Sequence, residues 1–234
     1  MQAYNKTELE NYFLAEEAKK LYQKKFLSKE QLQNINAQLV QLKSNPNIFF
    51  RIGFFFLGSF LISTIISAFG LILFPLISED FEFIFFFYAI VAYIGLEVLV
   101  NMKFFRHGLD DAFVLTSQIS FSIGIGILTE AILPVLITML VLGVFFAIRF
   151  INTISALLAF IGLVGIFLNL IVEPDVLPKF YLSSVGLILA ILVYFFVVYL
   201  SKKQNFYPYF KTLDTVRVAS LLLGYLSMNY LVVR

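Results

Sequence analysis

The chain is 234 residues long, 60% hydrophobic and only 14% charged, with a formal net charge of +2 and a mean hydropathy of +0.90. Soluble domains carry roughly 25% charged residues, so this composition excludes a water-soluble globular protein and implies an all-α, polytopic transmembrane helix bundle. The absence of cysteine removes disulfides, thiolate metal sites and a cysteine nucleophile. The single histidine, His107, removes any metal or haem site that needs two from one chain.

The chain starts polar, without the pattern of a cleavable signal peptide. Thr7-Glu8-Leu9-Glu10 has the spacing of a capping box, and Leu9, Tyr12, Phe13, Ala18 and Leu21 follow at helical intervals, predicting a helix near 7–23. Ser28-Lys29-Glu30-Gln31 repeats the capping spacing. Leu32, Ile35, Leu39 and Leu42 extend a 3–4 stripe to about residue 43. Residues 1–47 therefore read as a short amphipathic helical hairpin. It is too small to bury a core of its own, so a docking surface on a partner protein or on the membrane is expected, beside the plainer reading of a stalk closed on itself. Ser44-Asn45-Pro46-Asn47 breaks the helix before the membrane.

Spans of about 20 apolar residues cross a bilayer. Runs of that kind lie at about 49–75, 83–102 and 112–128. Residues 131–172 are apolar apart from Arg149; as one helix they would reach roughly 63 Å, twice a hydrocarbon core of about 30 Å. They divide at Arg149–Asn152 into spans of about 131–148 and 152–172. Two more follow at about 180–200 and 213–233, giving seven, or six if the last segment lies on the surface. Lys and Arg mark the cytoplasmic side. Placing the N-terminus inside also places Lys103, Arg106, Arg149, Lys202, Lys203, Lys211 and Arg217 inside; outside fall the acidic Glu79, Asp80, Glu82, Glu130, Glu173 and Asp175, with only Lys179 and Arg234 as basic residues. The expected location is a bacterial inner membrane, with the lipid bilayer as the first partner. A protein partner at residues 1–47 and self-association are both compatible with this layout, and no nucleic-acid-binding pattern is present.

The polar residues of the spans carry what chemistry there is. Glu97 lies about 8 Å inside the cytoplasmic edge at helical rise, on one face with Tyr93 and Asn101. It reads either as a structural tie to Arg149 or Arg106 or as a buried relay carboxylate. Asp110 and Asp111 open the third span, where carboxylates cap free N–H groups and suit the helix dipole. The alternative is a cation or proton site at the mouth of the bundle, with His107 titrating nearby. In the third span Thr116, Ser117, Ser120 and Gly124 form one small polar stripe, and Gln118, Ser122 and Gly126 another. Small and hydroxyl residues let membrane helices approach closely, so two stripes predict a central helix with neighbours on two sides, and a substrate-lining helix is the minority reading. Asp214 and Arg217 are spaced for a local ion pair. No metal, nucleotide or flavin pattern appears, so neither a cofactor nor an enzyme is expected.

The segments FLSKEQLQNI, RIGFFFLGSFLIS and HGLDDAFVL resemble, in that order, the uncharacterised multi-pass bacterial membrane proteins grouped as DUF2157-like, particularly their Bacteroidetes-type members. The likeness covers most of the chain loosely and is most specific at Gly108–Ala112. It implies a location and a topology without an activity. Members are often longer, so a chain that stops at the end of its last span reads as a shortened one. The expected function is a non-enzymatic membrane anchor, sensor or assembly factor that presents the hairpin. The alternative is a small-solute or ion transporter using Glu97 and the polar third span.

Overall fold

The computed structural model describes residues 2–39, 42–44, 47–77, 82–172 and 181–232. The loop residues Glu79, Asp80, Glu173 and Asp175 on which the orientation partly rests lie outside them, as do Lys179 and Arg234, which count against it. Among the described residues the chain is all-α. Two short helices, α1 (Lys6–Gln23) and α2 (Lys29–Gln38), precede α3 (Ile48–Ile77), α4 (Glu82–Asn101), α5 (Leu109–Thr129), α6 (Ile132–Arg149), α7 (Thr153–Val172), α8 (Tyr181–Ser201) and α9 (Phe210–Val232). The expected helical membrane bundle is what forms. Six helices, α3 through α8, are long and apolar enough to cross a bilayer. The seventh expected span, α9, matches them in length but carries Lys211, Asp214 and Arg217 in its first two turns; it packs along α8 and against α7.

Packing follows the small residues. α5 is the hub, touching α3, α4, α6 and α7. Its two polar stripes face different neighbours: Ser117 Oγ donates to the Ala89 carbonyl of α4 at 2.9 Å, and Gln118 Nε2 to the Met139 carbonyl of α6 at 3.2 Å. Ser122 Oγ instead bonds back to the Gln118 carbonyl of its own helix. Gly124 lies under the Phe86 ring of α4, and Gly126 against Val135 of α6. Ser120 is buried as well. α6 and α7 approach each other backbone to backbone. A Cβ added at Gly143 would stand 2.7 Å from the Ser155 carbonyl oxygen, and one at Gly162 2.8 Å from that of Leu136, so backbone meets backbone. Within a membrane such contacts supply packing that lipid cannot match. The outward faces carry large exposed apolar side chains such as Phe56, Phe60 and Phe195, as a lipid-facing surface should.

The front end departs from expectation in three ways. First, α1 is capped by Asn5, whose Oδ1 accepts from the Thr7 N–H at 2.9 Å, two residues before the predicted Thr7 cap. Second, α2 starts in the expected Ser28–Gln31 capping box but stops at Gln38, short of residue 43. Leu39 is extended, and Lys43 pairs with the α4–α5 connection, donating to the Lys103 carbonyl at 2.8 Å and accepting from Phe105 N–H at 3.0 Å. The helical stripe gives way because Leu42 is drawn into the core, where it is 4% exposed. Third, the first part of the apolar side of α1 is covered by the bundle and not by α2 alone, while Leu21 near its end stays 40% exposed. Leu9, with Tyr4 ahead of the helix, joins Leu96, Val100, Phe105, Val114, Phe146, Phe150 and Ile151 in one buried cluster. The hairpin is thus a cap on its own bundle.

Candidate functional site

Apart from Glu82 and Glu130, the described charged residues gather at the capped end, where α3, α5, α7 and α9 begin and α4, α6 and α8 finish. Each polar group there is set by local backbone. Gly108, at φ +105°, passes so close to the first turn of α3 that a Cβ would lie 2.1 Å from the Arg51 carbonyl oxygen. Arg106 takes a left-handed φ of 52°. The turn aims three backbone N–H groups, of Arg106, His107 and Gly108, at the Asp110 carboxylate at 2.6, 2.9 and 2.9 Å. The expectation that Asp110 and Asp111 cap α5 itself therefore needs correcting: Asp110 collects the loop that precedes the helix.

Asp111, one residue on, points elsewhere. Its Oδ2 accepts from Arg51 Nε at 2.8 Å and Nη2 at 2.6 Å, and its Oδ1 accepts from Asn152 Nδ2 at 2.8 Å. Asn152 in turn accepts the Ser155 N–H at 2.9 Å, capping α7. One buried carboxylate thereby joins the starts of α3, α5 and α7. Glu97 of α4 pairs with Arg149 of α6, whose Nε and Nη2 reach Oε1 at 2.9 and 2.7 Å. Asn101, expected beside Glu97, is exposed at the end of α4.

The His107 side chain does not join the carboxylates. Its ring lies against Phe54 (4.3 Å between centroids) and Phe104 (4.8 Å), and its Nδ1 has no hydrogen-bond partner among the described residues. Burial lowers its pKa below the usual 6.5, because imidazolium is the form that loses hydration. The fold therefore favours neutral His107. Stability from this source is complete above pH 6.5 and is lost as the pH falls through the lowered native pKa. The melting temperature of the detergent-solubilised protein should fall on acidification below that point, and His107→Phe should flatten the fall. An unchanged slope in the variant would remove His107 as the cause.

α1 lies across this cluster. The Ala3 N–H donates to the Arg149 carbonyl at 2.8 Å, Tyr4 Oη to the Phe104 carbonyl at 3.0 Å, and Lys103 Nζ reaches Glu8 Oε1 at 2.6 Å. Tyr4 is 5% exposed, and burial first, then the carboxylates of Asp110 and Asp111, push its phenol well above its ordinary 10. It remains a neutral donor. Further along, Lys211 pairs with Glu16; burial opposes ionisation of Glu16, but the bond and charge of Lys211 prevail and hold its carboxyl below the usual range. Arg106 is 7% exposed, with its guanidinium 5.1 Å from the Phe105 ring and 5.9 Å from Phe13, and neither Nη atom has a hydrogen-bond partner among the described residues.

Sequence reasoning missed Arg51, Asn152 and Tyr4 as members of this cluster. Asn152 left a signal, since Asn-Thr-Ile-Ser directly after the Arg149 break has N-cap spacing; Tyr4 left none. Among the described residues no three of His, Asp and Glu gather as metal ligands. Comparison with family models, with curated proteins and with solved structures finds no match.

Proposed function

We propose that this multi-pass membrane protein is a non-enzymatic anchor of the sensor or assembly-factor kind, whose bundle holds the N-terminal hairpin at the cytoplasmic face of a bacterial inner membrane. The observation that supports it most is the internal neutralisation of the candidate site. Asp111 is held by Arg51 and Asn152, Glu97 by Arg149, and Asp110 by three amides. A carrier needs groups that bind and release its cargo, whereas these bind neighbouring helices or, for Asp110, the adjoining loop. The orientation draws support from Lys103, Arg106, Arg149, Lys202, Lys203 and Lys211 all standing at the capped end. The DUF2157-like resemblance agrees with that arrangement and adds no activity. On this reading α2, which has no buried residue, is the part of the hairpin open to a protein partner.

The transporter alternative has one observation in its favour: Gln118 is fully buried on α5, and its Oε1 lacks a hydrogen-bond partner among the described residues. Ion flux in proteoliposomes separates the two. With a pH-sensitive dye inside and a panel of cation gradients outside, wild type and Glu97→Gln should both show only background leak. A flux in the wild type that Glu97→Gln abolishes, with the variant still folded, would overturn the anchor reading in favour of transport.

A further inference from the structure

The path of α1 carries its far end towards the α8–α9 side of the capped end. Glu8 meets Lys103 between α4 and α5, Phe13 meets the Tyr207 ring at 5.8 Å, and Glu16 meets Lys211 at the start of α9. All of these are at one end of the bundle, so a helix touching them in succession lies across that end, parallel to the membrane plane. It runs from under Phe105 towards α8 and α9, of which α8 packs mainly on α9, with α7 and the short turn Gln204–Tyr209 beside it. Lys20, in the last turn of α1, shares a cleft with Phe210 and Lys211. About one further turn of helix and the α1–α2 connection continue past it.

That far end of the hairpin is capped, basic and greasy. α1 ends in a Schellman arrangement, with Phe26 N–H donating to the Leu21 carbonyl and Lys25 N–H to that of Tyr22, both at 2.9 Å; Lys25 holds the left-handed position at φ 64°. In such motifs the residues at the Leu21 and Phe26 positions usually shield one another. Here Phe26 is 75% exposed and Leu21 40%. Around them Lys19, Lys20, Lys24, Lys25 and Lys29 are all exposed, against the exposed acids Glu17 and Glu30; Glu16 is held by Lys211. The α8–α9 side adds exposed Lys202 and Lys203.

We propose that the tip of the hairpin, Lys19–Lys29, docks on the anionic headgroups of the leaflet next to the bundle, with Phe26 inserted at the interface and the lysines on lipid phosphates. Clustered lysines beside a membrane segment are drawn to anionic lipid, and an exposed aromatic among them suits the headgroup boundary. The position at the α8–α9 side of the capped end puts that surface within reach. The inference holds whichever leaflet the capped end faces, and it stands apart from the proposed function.

The chain contains no tryptophan, so Phe26→Trp introduces a single fluorescent reporter into the full-length protein. In nanodiscs containing phosphatidylglycerol its emission should shift to the blue, be quenched by doxyl-labelled lipid and be protected from acrylamide. These effects should be lost in phosphatidylcholine alone, at high salt, and when Lys24→Gln and Lys25→Asn are added; asparagine is chosen because it tolerates the left-handed conformation. Equal access to acrylamide in both lipids would overturn the proposal. Protection from acrylamide without lipid quenching would overturn it in favour of a protein contact. Lipid quenching indifferent to lipid charge, salt and the lysines would overturn recognition of anionic headgroups.

Discussion

Replacing Asp111 with alanine is expected to destabilise the protein by about 3–5 kcal/mol, the range for removing one partner of a buried ion pair. The carboxylate is 6% exposed and serves two helices besides its own. Without it, the Arg51 guanidinium, whose side chain is 31% exposed, loses its counter-charge, and the Asn152 amide that caps α7 loses its acceptor. Most of the cost comes from those stranded groups, because the pair's own attraction is largely offset by its desolvation. Two variants separate these contributions. Asp111→Asn keeps an oxygen for Asn152 and strands only Arg51, so it should cost less than alanine. Adding Arg51→Gln to Asp111→Asn removes the stranded charge, and the pair together should cost less than the sum of the two separate changes. Thermal unfolding in detergent, followed by the amount of monodisperse protein that survives heating, gives the ranking. Strict additivity would mean that the 2.6 Å contact contributes nothing to the fold.

The fold class was legible because a bilayer demands long apolar runs, and composition records them directly. The position of α5 was legible for a related reason: hydroxyl and glycine residues on two sides of a membrane helix have little use other than contact, and Ser117 and Gln118 do reach into α4 and α6. The docking of α1 was not legible. Its stripe of Leu9, Tyr12 and Phe13 states that one side must be covered, but the cover is Phe105 and Tyr207, some 90 and 190 positions away, in connections that read as charged turns. Local spacing also misjudged Thr7, since Asn5 two residues earlier offers the same acceptor with an extended backbone. The aspartate pair shows the limit most clearly. Helix-start position predicts capping for both residues, yet adjacent side chains on a helix diverge by about 100°. Asp110 is turned to its own loop and Asp111 to Arg51 and Asn152. Which neighbour each meets depends on how closely α3 passes the turn.

That close passage rests on Gly108, and the matching prediction is that Gly108→Ala damages the protein about as severely as loss of Asp111, whereas Gly53→Ala is harmless or mildly stabilising. At position 108 two penalties coincide. A φ of +105° is one that an L side chain rarely adopts, a strain of order 1–3 kcal/mol by itself. The new Cβ would also stand 2.1 Å from the Arg51 carbonyl oxygen and 3.1 Å from the Phe55 nitrogen, both backbone atoms of α3 with no rotamer to yield. Relief requires α3 to move away from the turn, which stretches the Arg51–Asp111 pair and loosens the amides that Asp110 gathers. Position 53 lies on the same helix, with nothing within 4 Å of its would-be Cβ. There alanine removes only the backbone freedom of a mid-helix glycine, a gain of roughly 0.5–1 kcal/mol. The two single-methyl changes therefore differ in sign for reasons that lie wholly in the turn. Melting temperatures measured side by side in one detergent should place Gly53→Ala at or above wild type and Gly108→Ala well below it. If both variants melted together, the close contact between the turn and α3 would not be what holds the capped end in register.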